Sequence, residues 1–276
     1  METAIVTDST CDIPADLATK LDIHVVPNII VMQGKSVEDG VGISRREFYE
    51  RLPEMDPLPT TSTASSGTYQ TLYDQLFKQD IDQIISIHAS SQLSGIYNAA
   101  SVAANSFGNR VAVVDSQNVS LGLGFQVLEA AQAALEGKPL ESILADIALV
   151  RQRVRLVAML DTLEYVRRSG RVSWVRARVG SLLRIKPFIE IVEGDAKSVG
   201  DARTRRQGIA RLREIVLSLG PLERLAIMHS NAEADAQLFL ASLDADPPYE
   251  PLVVNATTVI GTHVGPNGLA FTAVVK

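Results

Sequence analysis

The chain has 276 residues, 46% of them hydrophobic and 21% charged, which excludes wholesale disorder and leaves room for a sizeable core and two domains. A single cysteine excludes an internal disulfide and any cysteine-based metal cluster, while the formal net charge of −6 is modest for this length. The first residues show no basic region ahead of a long apolar core, and no apolar run approaches the roughly 20 residues of a membrane helix, so a cytoplasmic protein that does not span a membrane is expected.

Ala4-Ile5-Val6 reads as a short buried strand, followed by the polar loop Thr7-Asp8-Ser9-Thr10-Cys11-Asp12 and by Pro14 at the first turn of a helix ending near Leu21. No histidine or second cysteine lies near Cys11 in sequence, which suits a quiet loop residue better than a nucleophile. A second strand is expected over 23–31. Ser44-Arg45-Arg46-Glu47 has capping-box spacing and starts a helix through Phe48 and Leu52, closed by Pro53. Residues 57–67 are too rich in hydroxyls and turn formers for a regular element, and they lead into a helix over 69–77.

Ile84-Ile85-Ser86-Ile87 reads as a buried strand, and from Leu93 onward Ile96, Tyr97, Ala100 and Ala104 fall at helical spacing. A parallel strand that runs out through His88-Ala89-Ser90-Ser91-Gln92 and then opens a helix leaves backbone N–H groups for an anion, and Ser94 adds a hydroxyl there. Taken alone, the stretch is explained more simply by Ser94 as an N-cap in an ordinary polar loop. Another strand is expected over 110–115, with helices over 121–135 and 139–153. This alternation argues for a parallel sheet with crossover helices and a ligand beyond the carboxyl ends of its strands. Thr7 to Thr10, Ser90 to Ser94 and Asp115-Ser116 then converge on one edge. Gly122-Leu123-Gly124 lacks the third glycine of a dinucleotide fingerprint and no strand leads directly into it, so it is discounted.

The rhythm changes after residue 155. Strands over 156–160 and 188–192, a helix over 205–219, a strand over 225–229 and a helix over 232–243 precede strand patterns over 252–255, 257–260 and 269–275, which suggests a mixed or antiparallel sheet. The fold class is therefore α/β: a parallel-sheet domain over 1–155 and a smaller α+β domain over 156–276, with the chain free to cross between them. Charge divides differently, because residues 151–213 carry 16 Lys/Arg against 6 Asp/Glu, and the remainder 10 against 26. So basic a block fits a phosphate-bearing ligand or an acidic protein partner better than nucleic acid, since Tyr165, Trp174 and Phe188 are its only aromatics. A solvated helix face is the simplest alternative.

No Walker pattern, no Gly-x-Ser-x-Gly elbow and no His-x-x-x-His helix is present. Of the four histidines, His24 lies in a strand, while His88 and His229 each follow an apolar strand. His263 sits in Gly261-Thr262-His263-Val264-Gly265-Pro266-Asn267-Gly268, where the glycines allow close backbone approach and suggest a turn. Arg167 and Arg168 suit a helix C-terminus, but Arg171 lies past Gly170, placed for a carboxylate or phosphate.

Together, Thr7-Asp8-Ser9, Thr61-Ser62-Thr63-Ala64-Ser65, Ser90-Ser91-Gln92-Leu93-Ser94-Gly95-Ile96-Tyr97, Asp161-Thr162-Leu163 through Arg171, and Ile260-Gly261-Thr262-His263-Val264-Gly265-Pro266 resemble, in that order, the DegV family of bacterial fatty-acid-binding proteins. The resemblance implies a two-domain fold with a long-chain fatty acid between the domains, presented to a separate ATP-dependent fatty acid kinase and carried as the acyl phosphate. It implies no catalytic residue, metal or cofactor in the protein itself. Carried over by motif, Thr61 and Ser94 hold the carboxylate by their hydroxyls, Ser94 also offers a helix-start N–H, and Arg171 and His263 complete the network. Ala64, Ile96 and Ser169 stand where the family pattern has proline, threonine and glycine, and none of these removes a ligand group. Arg176, Arg178, Arg203, Arg205 and Arg206 lie outside these motifs in polar surroundings, and are expected to dock an acidic region of the kinase. Two other readings stay open: an acyl ester hydrolase with Ser94 as nucleophile and His263 as base, and a regulator whose basic block binds nucleic acid.

Overall fold

In the computed structural model, which describes residues 2–171, 185–243 and 247–276, the chain opens with β1 (Thr3–Asp8), α1 (Ala15–Lys20) and β2 (Ile23–Val26). The pattern over 23–31 is two strands rather than one. Pro27 has no N–H to give a ladder, so the chain leaves the first sheet there and enters another as β3 (Ile29–Met32), paired with β4 (Lys35–Glu38). Next comes α2 (Arg45–Arg51), where the Ser44 hydroxyl accepts the Glu47 amide at 3.2 Å, as the capping-box spacing predicts. The stretch expected to be irregular contains β5 (Thr60–Ser62), which pairs antiparallel with β3. Then follow α3 (Ser66–Phe77), β6 (Gln83–His88), α4 (Ile96–Ala104), β7 (Val111–Asp115), α5 (Leu121–Leu135) and α6 (Leu140–Arg153), close to the expected bounds.

The second half adds β8 (Val154–Met159), α7 (Glu164–Arg168), β9 (Lys186–Val192), β10 (Asp195–Ala202), α8 (Arg205–Ser218), β11 (Leu222–His229), α9 (Glu233–Ala241), β12 (Leu252–Asn255), α10 (Thr258–Val264) and β13 (Leu269–Val275). Here the strand read over 257–260 is corrected to a helix. Its β-branched run, Thr257-Thr258-Val259-Ile260, favours a strand locally, but the Asp12 carboxylate accepts the Thr257 amide at 2.8 Å and Asp39 accepts the Thr258 hydroxyl at 2.6 Å. Tertiary partners thus fix the helix start. Among the described residues, no helix is long and apolar enough to cross a membrane.

Three sheets result among the described residues. β2-β1-β6-β7 are all parallel, β4-β3-β5 form a small antiparallel sheet, and β10-β9-β8-β13-β11-β12 form a six-stranded mixed sheet. The molecule is α/β as expected. On the six-stranded sheet the alternation of side chains is explicit: Val157, Met159, Phe188, Ile227 and Phe271 pack in a cluster with Leu212 and Val216 of α8 and Phe239 of α9, while Leu156, Ile189, Ile191 and Met228 face the other way. That other face shares one core with the parallel sheet and with α5, which is buried along most of its length. Gly122 and Gly124 belong to this packing. A Cβ on Gly124 would lie 2.6 Å from the Cys11 carbonyl oxygen, so the paired glycines serve helix contact. Cys11 itself is buried, and burial pushes its thiol well above the usual value, consistent with an unreactive residue. A third cluster joins Ile30, Phe48, Tyr49 and Leu52 to Tyr165 and to Val259 of α10.

Candidate functional site

Where the parallel sheet meets the face of the six-stranded sheet that is turned toward it there is a cavity of about 210 Å³, more than ten times what one water needs. The segments just beyond the carboxyl ends of β1, β6 and β7 supply Thr10, Ala89, Ser94 and Val119 to its wall, as expected of an open parallel sheet. These segments also hold one another. Ser116 donates its amide to the His88 carbonyl at 3.0 Å, and the Ser91 hydroxyl donates to Asp115 at 2.6 Å. The floor is Leu156, Ala158, Ile189, Ile191, Met228 and Ala270 of the six-stranded sheet.

All four residues expected at the head group line this cavity: Thr61, Ser94, Arg171 and His263. Thr61 arrives on β5, whose pairing with Ile30 sets its position, and its hydroxyl lies 3.0 Å from His263 Nε2. His263 comes from the last turn of α10, not from the turn that its glycines suggest. Gly261 is needed for contact with Tyr49, whose hydroxyl oxygen would sit 2.5 Å from a Cβ there, and Gly265, at φ 75°, ends the helix. Burial first, and the Arg171 charge second, lower the His263 pKa to about 4, so the imidazole is neutral at pH 7. Arg171 is set by its amide donating to the Val166 carbonyl at 3.0 Å and by its guanidinium donating to the Ser169 carbonyl at 2.9 Å.

Ser94 differs from expectation in two ways. The N-cap of α4 is Gly95, and the Ser94 hydroxyl accepts the Ile96 amide at 3.2 Å. Its own N–H is not offered to the cavity, because the turn over 90–94 closes on itself and Ser94 N donates to the Ser90 carbonyl at 3.1 Å. The hydroxyl remains at the cavity wall. Ile96 makes the wall beside it apolar.

Behind the wall lies a polar network that sequence reasoning missed. Asp8 accepts the Thr10 hydroxyl at 2.5 Å, the Ala89 amide at 3.2 Å and the Asn28 amide group at 3.2 Å, and it pairs with His88 Nδ1 at 3.0 Å. His88 Nε2 meets Ser86 at 2.7 Å, and the Tyr73 hydroxyl donates to Ser86 at 2.8 Å. Burial pushes the Asp8 carboxyl up, but the His88 hydrogen bond and charge, with Thr10 and Ala89, outweigh it and hold the group below its usual value. An oriented Asp–His–Ser array therefore exists, yet Asp8, Ser86 and His88 are all 0% exposed, where no ester can enter. Its role is to brace Thr10, Asn28 and Ala89, three wall residues. His229, the last residue of β11, and Ser230 just beyond it also reach the cavity, and burial lowers the His229 pKa. The only hint in sequence was their place after an apolar strand.

Of the proposed docking arginines, Arg203 and Arg206 are exposed. Arg205 is corrected: it is half-buried, donates to Asp235 at 2.5 Å and to the Asn267 carbonyl at 2.6 Å, and lies 3.8 Å from Asp161. Those partners make it a tie between α8, α9 and the loop before β13. Arg176 and Arg178 lie outside the described residues.

Comparison with known proteins adds an independent finding. The family model described as "Uncharacterised protein, DegV family" matches residues 2–276. A DegV domain-containing protein of Listeria monocytogenes is 32% identical over 99% of this chain and 98% of its own length. Among solved structures, a DegV family protein of Thermus thermophilus described by its fatty acid binding superposes with a TM-score of 0.91, at 32% identity and 100% coverage of both chains. DegV of Bacillus subtilis, described as a fatty acid binding protein, has a TM-score of 0.89, again at 32% identity and 100% coverage of both.

Proposed function

This chain belongs to the DegV family, and from that premise we propose that it binds a long-chain fatty acid with the carboxylate at Thr61, Ser94, Arg171 and His263 and the tail over the six-stranded sheet. The observation that carries this reading is the cavity itself: an apolar floor of strand side chains leading to hydroxyls, a guanidinium and an imidazole gathered from four separate segments. A carboxylate needs charge-assisted donors and an acyl chain needs a dry apolar surface. A neutral His263 suits the first task, since one ring nitrogen can donate and the other accept. The acid is the ligand, and no cofactor is required. The two domains, 1–155 and 156–276, contribute the two sides.

The protein presents the carboxylate to a partner fatty acid kinase in the cytoplasm and carries the acyl phosphate, with catalysis supplied by the kinase. Arg203 and Arg206 form part of the docking surface on this reading, with Arg176 and Arg178. Denaturing extraction of protein purified from a lipid-replete host, followed by lipid mass spectrometry, tests the core of the proposal. Release of a stoichiometric acyl species is the expected result. Recovery of none, with no uptake of added free acid, overturns it.

A further inference from the structure

We propose that Ala158 and Ala270 form a gauge that sets how long an acyl chain the cavity accepts; this rests on the fatty-acid reading above. The two residues face each other on adjacent central strands, β8 and β13, and their register extends to a row across the sheet, Ile189–Ala158–Ala270–Met228. Small residues stand in the middle with large ones at both sides. Ile189 and Met228 are buried, whereas both alanines stay half-buried in the centre of a six-stranded sheet, and the cavity they line is what exposes them. Alanine is a poor strand residue, and a facing pair of them leaves a trough in a surface that β-branched residues would otherwise fill.

The trough has a direction. At its carboxyl end β8 leads through α7 to Arg171, and β13 begins just after α10 and His263, so the polar end of the cavity lies beyond Met159 and Leu269. Moving away from it along the same face, the next row after the alanines is Ile191–Leu156–Thr272, two residues or roughly 7 Å further on. Leu156 and Ile191 line the cavity there and are buried. A tail anchored at the head group must pass over Ala158 and Ala270 to reach that row. Bulk added at the pair closes the way to carbons beyond it and leaves the nearer ones untouched.

The test is binding of saturated acids from octanoic to octadecanoic to the delipidated full chain, comparing the native protein with Ala270→Leu and, on the other strand, Ala158→Val. Each methylene buried is worth roughly fourfold in affinity, so native affinity should climb along the series. In both variants it should follow the native curve for the short acids and then flatten, leaving the longest acids at least tenfold weaker than in the native protein. A variant curve parallel to the native one through octadecanoic acid overturns the gauge. Equal loss at every length in both variants, with circular dichroism unchanged, also overturns it, because the pair would then only support the sheet. If the native protein binds no acid of any length, the fatty-acid reading itself falls.

Discussion

At the scale of single residues, the head group makes the sharpest predictions. A buried carboxylate that loses one hydrogen bond gives up about 1.5–3 kcal/mol, so Ser94→Ala and Thr61→Val should each weaken acid binding by tenfold or more. Arg171→Lys should weaken it too, since an ammonium cannot reproduce the planar fork; native affinity in all three variants, measured by calorimetry, would move the acid elsewhere. His263 predicts a pH effect whose sign follows from its pKa, lowered from 6.5 to about 4 by burial and by Arg171. Between those values the unfolded chain binds the proton better, so the stability that neutral His263 contributes is complete above pH 6.5 and is lost as pH falls toward 4. Relative to His263→Gln, the native protein should lose about 3 kcal/mol across that window. Urea unfolding of both proteins at a series of pH values checks this, and a pH-independent difference would mean that the imidazole titrates normally. The four residues proposed for the head group were legible through the motifs that carry the family resemblance, and the structure brings all four to one cavity. The Asp8–His88 pair was not legible, because nothing local tells a strand-end aspartate that its partner lies eighty positions away.

Elements show a similar division. Apolar runs and caps gave away β1, β6, β8 and the helices α2, α5 and α6, where burial and backbone preference agree. β4 and β10 went unread because edge strands are polar: Lys35-Ser36-Val37-Glu38 and Asp195-Ala196-Lys197-Ser198 each face solvent on one side and take their hydrogen bonds from a single neighbour. The β9–β10 hairpin nevertheless has a demanding tip. Ser90 donates its hydroxyl to the Gly194 carbonyl and Gln92 its amide to the Glu193 carbonyl, each at 2.6 Å. Gly194 has φ 85°, and a Cβ on it would lie 2.7 Å from Ser90 Oγ. Gly194→Ala should therefore destabilise the protein by roughly 2–3 kcal/mol, the left-handed backbone costing about 1–2 and the displaced contact the rest. Gly137 offers the control, having φ 72° with nothing within 4 Å of a Cβ. Gly137→Ala should cost only the backbone part, and equal melting temperatures for the two variants would show that the hairpin tip is not seated on residues 90–92.

Across the whole molecule, the basic block resolves into separate tasks. Arg153, Arg155, Lys186 and Arg205 are engaged with Glu223, Glu190, Asp161 and Asp235, so the charge that sequence presents as one surface is partly internal structure. Arg203 and Arg206 remain at the surface, and complementarity there chiefly raises an association rate and makes it salt-dependent. Arg203→Glu with Arg206→Glu should leave acid binding intact and slow acyl-phosphate formation with the kinase, most strongly at low salt. A coupled phosphorylation assay at two ionic strengths decides: native rates under both conditions would remove these arginines from docking. By contrast, Arg205→Glu should disturb the fold, because it places a third carboxylate beside Asp161 and Asp235.

The position of β13 between β8 and β11 has a consequence for how the chain is made. The ribosome delivers β13 after the other five strands of its sheet, yet β13 is what joins the β10-β9-β8 half of the sheet to the β11-β12 half. Until it emerges, the nascent chain holds two unjoined ribbons whose inner edges offer bare backbone donors and acceptors, the state most open to chaperones and to mispairing with a neighbouring chain. The same late strand carries Ala270 into the cavity floor, so the cavity can be completed only once synthesis has passed it.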